Sequence, residues 1–208
     1  MGRGRAANYE GQREMILARA AELFARGGYP GTSMNQVAEA CGLSKATLYH
    51  YYQDKYELLV NIADDHVSRL QGIVRETLAE PLPPEAQMRE LVARLVEEYA
   101  NAQHAHRVLT EDVKFLDTAD RERVLDKERE VVRGFAQVVG ELRPDLLQAA
   151  MTKPLTMLLF GMINWLFTWM KPRGRLDYEA MAPLVADLFL GGLGAVEAPA
   201  QLPRQRRA

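Results

Sequence analysis

Ser44-Lys45-Ala46-Thr47-Leu48-Tyr49-His50 combines residue types and spacing that fit a definite chemistry. Wound as a helix at about 100° per residue, it groups Leu48 with Ser44, Tyr51 and Tyr52 and sets Ala46 and His50 opposite. The Leu48 side belongs to a core. The other side presents Lys45, Ala46, Thr47, Tyr49 and His50, groups suited to phosphates, base edges and thymine methyls. A solvated helix more often carries Glu and Lys there.

Other chemistries find little to start from. The chain has 208 residues and contains no GxSxG, HExxH, CxxC or GxxxxGK pattern, so hydrolase, zinc-peptidase, redox and phosphate-loop readings lack their residues. No enzyme and no cofactor are implied. His104 and His106 point in different directions on a helix, so a surface or capping role is expected in place of a metal site. With one cysteine, Cys41, there is no disulfide framework. Beside Leu43 in a turn, Cys41 reads as a small packing residue. The formal net charge of -2 does not oppose nucleic-acid binding, because a basic face need only be local.

Elements to hold the Ser44–Tyr52 segment are legible on either side. Ile16, Leu17, Ala20, Leu23 and Phe24 form one helical stripe, stopped by Gly27-Gly28. Pro30-Gly31-Thr32-Ser33 is a turn ending in an N-cap, and Met34, Val37 and Ala38 share a face of a short second helix. Cys41-Gly42-Leu43 breaks it, and Ser44 opens the third. Two short helices around a glycine turn make a corner whose second helix fits a major groove. Asp54 starts a long fourth helix to about Ala79, and Pro81-Leu82-Pro83-Pro84 ends that part of the chain. Further helices are predicted over 85–103, 105–116, 119–142, 145–170 and 178–195, with the last open to a kink at Pro183.

Gly31-Thr-Ser, together with Val37-Ala-Glu-Ala-Cys-Gly-Leu-Ser-Lys-Ala-Thr-Leu-Tyr-His-Tyr-Tyr-Gln-Asp-Lys55-Tyr-Glu-Leu-Leu59, closely resembles the N-terminal domain of the TetR family. The resemblance covers residues 12 to 60. It implies an all-α homodimer whose first three helices bind DNA and whose remaining helices form a ligand pocket and a dimer interface. Such proteins usually act as repressors released by a ligand. Residue by residue, it places Lys45, Thr47, Tyr49 and His50 on DNA beside Ala46, with Ser33 and Lys55 near phosphates at helix N-termini. Ser44 either caps its helix or touches a phosphate. Tyr52 stands where the family more often has Phe. Arg3 and Arg5 form either a minor-groove arm or a solvated tail.

The expected organisation is an all-α chain in three parts. Residues 1–55 form the helix-turn-helix DNA-binding domain, with the motif over about 32–52; residues 56–198 form the helical effector-binding and dimerisation domain; residues 199–208 form a disordered basic tail. The run Pro154 to Met170 is interrupted by Thr156, Asn164 and Thr168, and it reads as a buried or dimer-core helix in preference to a membrane span. A start of Met1-Gly-Arg-Gly-Arg argues against a signal peptide, so a cytoplasmic protein is expected.

Phe160-Gly-Met-Ile-Asn-Trp-Leu-Phe-Thr-Trp-Met-Lys-Pro-Arg-Gly174 followed by Ala186-Asp-Leu-Phe-Leu-Gly-Gly-Leu193 resembles the branch of that family sensing acyl-CoA thioesters in fatty-acid, phenylacetate or sterol-ring catabolism. An acyl-CoA needs an apolar tunnel and cations for its phosphates. Met157, Phe160, Asn164, Trp165, Phe167 and Trp169 are candidates for the tunnel, and Lys114, Arg123, Lys153, Lys171 and Arg173 for the phosphates. A Met and Trp stripe also suits a core or an interface, and that alternative stays open. Leu184, Leu188, Phe189 and Leu193 are expected at the dimer interface. The partners implied are double-stranded DNA with a near-palindromic operator, a small-molecule effector and a second copy of the chain. A rival reading is a helical acyl-CoA or lipid carrier that binds no DNA; Lys45 to His50 argue against it.

Overall fold

The computed structural model describes residues 3–170 and 177–198. Among them are ten α-helices, a 3-10 turn at Val113–Phe115 and no strand, in agreement with the all-α expectation. The disordered-tail expectation for 199–208 lies outside the described residues. Backbone contacts divide the chain into two compact units, one of residues up to Arg69 with Ala102–Lys127, the other of Leu70–Asn101 with the residues from Glu128 on.

The first unit holds α1 (Arg3–Gly27), α2 (Met34–Ala40), α3 (Lys45–Tyr51), the first part of α4 (Lys55–Ala79), α6 (Gln103–Glu111) and the start of α7 (Thr118–Leu142). Helix α1 begins well before the apolar stripe that announces it, so the backbone at Arg3 and Arg5 is helical. It ends at Gly28, whose φ of 77° lies in the left-handed region where a side chain would be strained. Ile16, Ala20 and Phe24 of α1, Val37 of α2, Leu48 of α3 and Leu58 and Leu59 of α4 are fully buried in this unit. Helix α6 packs along α1, and the expected helix 105–116 is α6 plus the 3-10 turn.

His106, expected in a surface or capping role, is instead buried. Its Nδ1 stands 3.2 Å from Nε2 of His66 on α4, so one ring donates and the other accepts. Burial, and then the neighbouring His66 ring, pushes His106 down from its usual range to about 3. Because the folded value lies below the unfolded one, the unfolded chain binds the proton first as pH falls. The contribution is therefore complete above about pH 6.5 and is lost progressively towards pH 3. Urea unfolding should show the wild type losing about 1.4 kcal/mol more per pH unit below pH 6 than a His106→Gln chain. Parallel pH profiles for the two chains would rule this out.

The second unit holds the end of α4, α5 (Pro84–Asn101), the end of α7, α8 (Pro144–Gln148), α9 (Thr152–Trp169) and α10 (Tyr178–Ala195). Helix α10 lies along α5, and α9 touches both. Leu91 and Leu95 of α5, Phe135 of α7, Leu159 and Ile163 of α9 and Val185 of α10 form its core. The single helix expected over 145–170 is two helices. Ala150 adopts φ 56°, and the Met151 N–H donates to Leu146 O at 2.9 Å, which closes α8. Pro154 then falls in the first turn of α9, where its missing N–H costs nothing; inside a continuous helix it would break the ladder. Pro183 sits within α10, which continues through it. No described helix is long and apolar enough to cross a membrane.

Candidate nucleic-acid interface

The corner between α2 and α3 is built by local bonds. At the start of α2, Gln36 N donates to Ser33 Oγ at 3.3 Å, and Ser33 N donates to Gln36 Oε1 at 2.8 Å. This reciprocal capping box satisfies both ends of the turn. Helix α2 stops where Gly42 takes φ 63° and Leu43 N donates back to Ala38 O at 2.9 Å. Cys41 is half-buried in that turn, and burial holds its thiol above the usual range, against thiolate chemistry. Ser44 then caps α3, accepting from Thr47 N at 3.1 Å, with its Oγ 2.7 Å from Thr47 Oγ1. Of the two roles left open for Ser44, capping is the one the structure displays.

Leu48 and Tyr52 are fully buried, so they anchor α3. Burial raises the Tyr52 phenol above its usual range, opposed by the Arg13 guanidinium, which stands 5.4 Å from the ring centroid. Lys45, Ala46, Thr47, Tyr49 and His50 are all exposed, with Tyr49 43% exposed, and Ser44 is exposed at the N-cap although it lies on the Leu48 side. Lys45 Nζ lies 5.8 Å from the centre of the Tyr49 ring. Ser33 is exposed at the start of α2.

Lys55 has a task that the sequence did not announce. Its Nζ donates to the carbonyls of Tyr29 and Pro30 at 2.9 and 3.2 Å and lies 4.4 Å from the Tyr29 ring centroid. It thereby fastens the turn between α1 and α2 to the start of α4. A second tie at that end was also missed. The Tyr56 hydroxyl donates to Asp120 Oδ2 at 2.8 Å and accepts from Asp117 N at 3.0 Å.

In the second unit the candidates separate by helix face. Met157, Trp165 and Trp169 are exposed on α9 beside Leu158, and Trp165 and Leu158 are each 66% exposed. Phe160 points inward, edge-on to Phe135 with ring centroids 5.0 Å apart. Lys153 is exposed in the first turn of α9. Leu184 and Leu188 are exposed on α10, with Leu188 70% exposed, whereas Phe189 and Leu193 are buried. Of the four residues expected at the dimer interface, Leu184 and Leu188 are therefore open to a partner in the single chain, and Phe189 and Leu193 pack within it. Residues 184 and 188 share one line of the helix, and 185, 189 and 193 share a line about 100° away.

Thr77 Oγ1, Thr156 Oγ1 and Asn164 Oδ1 are buried in this unit without a hydrogen bond among the described residues. Of the phosphate candidates, Arg123 is held by Asp64 and Asp120, and Lys114 lies 5.3 Å from the Phe115 ring centroid. Lys171 and Arg173 lie outside the described residues. No group of three or more metal-ligating side chains occurs among the described residues.

Comparison with known proteins agrees with this geometry. Residues 16–62 match the family described as bacterial regulatory proteins, tetR family, and residues 81–193 match the tetracyclin repressor-like C-terminal domain. The HTH-type transcriptional repressor KstR2 of Rhodococcus jostii RHA1 is 25% identical over 191 residues, covering 89% of this chain and 92% of the relative. A TetR-family regulator from Bordetella parapertussis 12822 is 34% identical with a TM-score of 0.82, covering 89% of this chain and 97% of that one. AibR, solved with isovaleryl coenzyme A and operator DNA, shares the fold at a TM-score of 0.73 and 23% identity, covering 85% and 97% of the two chains.

Proposed function

Since the chain belongs to the TetR family of DNA-binding transcriptional regulators, we propose that it is a cytoplasmic homodimeric repressor that leaves its operator when an acyl-CoA thioester binds. The observation that carries the DNA reading is the division of α3, with Leu48 fully buried and Lys45, Ala46, Thr47, Tyr49 and His50 together in solvent. Lys45 supplies charge for phosphate, and Thr47, Tyr49 and His50 supply donors, acceptors and ring faces for base edges. Two copies of α3 about 34 to 36 Å apart read a near-palindromic site. The exposed lines of α9 and α10 supply the pairing surface, since Leu158, Trp165, Leu184 and Leu188 leave apolar area uncovered in one chain.

Support for the effector comes from the second unit. A buried acceptor without a donor is costly, and the Asn164 amide oxygen and the Thr77 and Thr156 hydroxyls are such atoms. A ligand carrying polar groups satisfies them, and a thioester with its pantetheine amides has both donors and acceptors. AibR, with the same fold, was solved in complex with isovaleryl coenzyme A and operator DNA.

Release follows from linkage: a ligand that favours a conformation poorly matched to the operator lowers DNA affinity by its coupling factor. The test begins with selecting an operator from random duplexes. Acyl-CoAs of graded chain length, free CoA and free acids are then titrated into the complex and followed by fluorescence anisotropy. A thioester should weaken binding about 5- to 150-fold, for a coupling of about 1 to 3 kcal/mol. The free acids, lacking phosphates for cations such as Lys153, should act weakly. An operator complex indifferent to every thioester at saturation would overturn the effector class, and selection of no sequence would overturn the operator reading.

A further inference from the structure

Helix α3 is seven residues long, and its C-cap Tyr52 has extended backbone. His50 and Tyr51 therefore lie in a terminal turn, where few intrahelical bonds restrain a side chain. Yet His50 is exposed among the DNA-facing set. Its ring meets Tyr51 edge-on, with centroids 5.7 Å apart and planes at 78°. Tyr51 is half-buried, and its other neighbour is Tyr9, stacked at 4.9 Å and 27°. Three rings thus run in a row from the N-terminal part of α1 to the reading side of α3. Tyr9 is 38% exposed, carries no charge and stands 42 positions from Tyr51 in the chain.

Resting on the operator-binding reading, we propose that Tyr9 is a positioning residue for sequence selection, holding Tyr51 so that the His50 imidazole is presented to the DNA in one orientation. Offset stacking fixes the Tyr51 ring plane, and the edge-to-face contact transmits that plane to His50. An imidazole reads through two ring nitrogens of distinct roles, so its orientation decides which base edge it accepts. Ordering it before binding removes part of the entropy loss otherwise incurred on the DNA. Because Tyr9 adds no charge, its influence falls on the preference among sequences and not on the counterion-release term.

The experiment is selection from a random duplex library with wild type, Tyr9→Ala, Tyr9→Phe and His50→Ala, followed by affinity measurements over a salt series. Tyr9→Ala should relax base preference at the positions that His50→Ala relaxes. It should also weaken the selected site about 2- to 12-fold, the worth of one aromatic pair, with the salt slope unchanged. Tyr9→Phe should behave as wild type, because the ring and not the hydroxyl stacks. The proposal is overturned if Tyr9→Ala keeps the preference that His50→Ala loses, if it weakens operator and random DNA equally, or if Tyr9→Phe is as defective as Tyr9→Ala. Selection of no motif by wild type would instead overturn the operator reading beneath it.

Discussion

A chain carrying Leu158→Glu with Leu188→Glu is expected to behave as a 23.4 kDa monomer and to lose most of its operator affinity. The two leucines stand on the outward lines of α9 and α10, 66% and 70% exposed, so the change leaves the core of either unit alone. In the proposed dimer each glutamate would have to be dehydrated beside exposed apolar side chains such as Met157, Trp165 and Leu184. A monomer engages one half-site, and the second contact no longer benefits from being tethered to the first. The expected loss is about 100- to 10,000-fold, the range over which linking two binding modules raises avidity. Light scattering and anisotropy on the selected operator check the two halves separately. A persisting dimer would place the interface elsewhere.

Leu48→Ala and Tyr49→Ala, one residue apart, should fail in opposite ways. Leu48 is fully buried, so its truncation removes contacts from the first unit and should cost about 2 to 5 kcal/mol of stability. For a unit of this size the midpoint Tm falls by roughly 10 °C or more. Tyr49 is 43% exposed and anchors no core. Its truncation should leave Tm unchanged and weaken operator binding about 5- to 150-fold, the 1 to 3 kcal/mol of one reading contact. Calorimetry beside anisotropy on both variants decides the matter. Equal Tm losses would mean that the two sides of α3 are not distinguished as described.

Positions 33 to 52 were legible because everything that forms the corner is local. Ser33 with Gln36, Gly42 at φ 63° and Ser44 with Thr47 are partners within a few residues. Helical periodicity separated Leu48 and Tyr52 from Lys45, Ala46, Thr47, Tyr49 and His50, but it also grouped with Leu48 the exposed Ser44 and the half-buried Tyr51. What stayed hidden depends on partners far along the chain. His66 and His106 are 40 positions apart, so nothing in their spacing announces the pair until α4 and α6 are placed together. Lys55 bonds carbonyls 25 and 26 positions away, and no pattern of side chains announces a backbone acceptor. The division of 145–170 into α8 and α9 left one overlooked trace, Pro154. Apolar residues on α9 and α10 were recognised, but composition does not say which line faces inward. Phe189 and Leu188 are equally apolar neighbours, and only the fold separates them.

The two compact units are not consecutive stretches of chain: the first takes residues up to Arg69 and then Ala102–Lys127. This bears on how such proteins are recombined. A chimera that transplants residues 1–55 onto another regulator leaves behind Tyr56, His66, His106 and Asp120, so the grafted head arrives without the His66–His106 pair and the Tyr56–Asp120 bond. A transplant that carries 102–127 with the first 69 residues keeps both. Shuffled regulators cut after residue 55 therefore inherit a head stripped of two of its fastenings, whereas a two-segment exchange passes on the exchanged part as a whole.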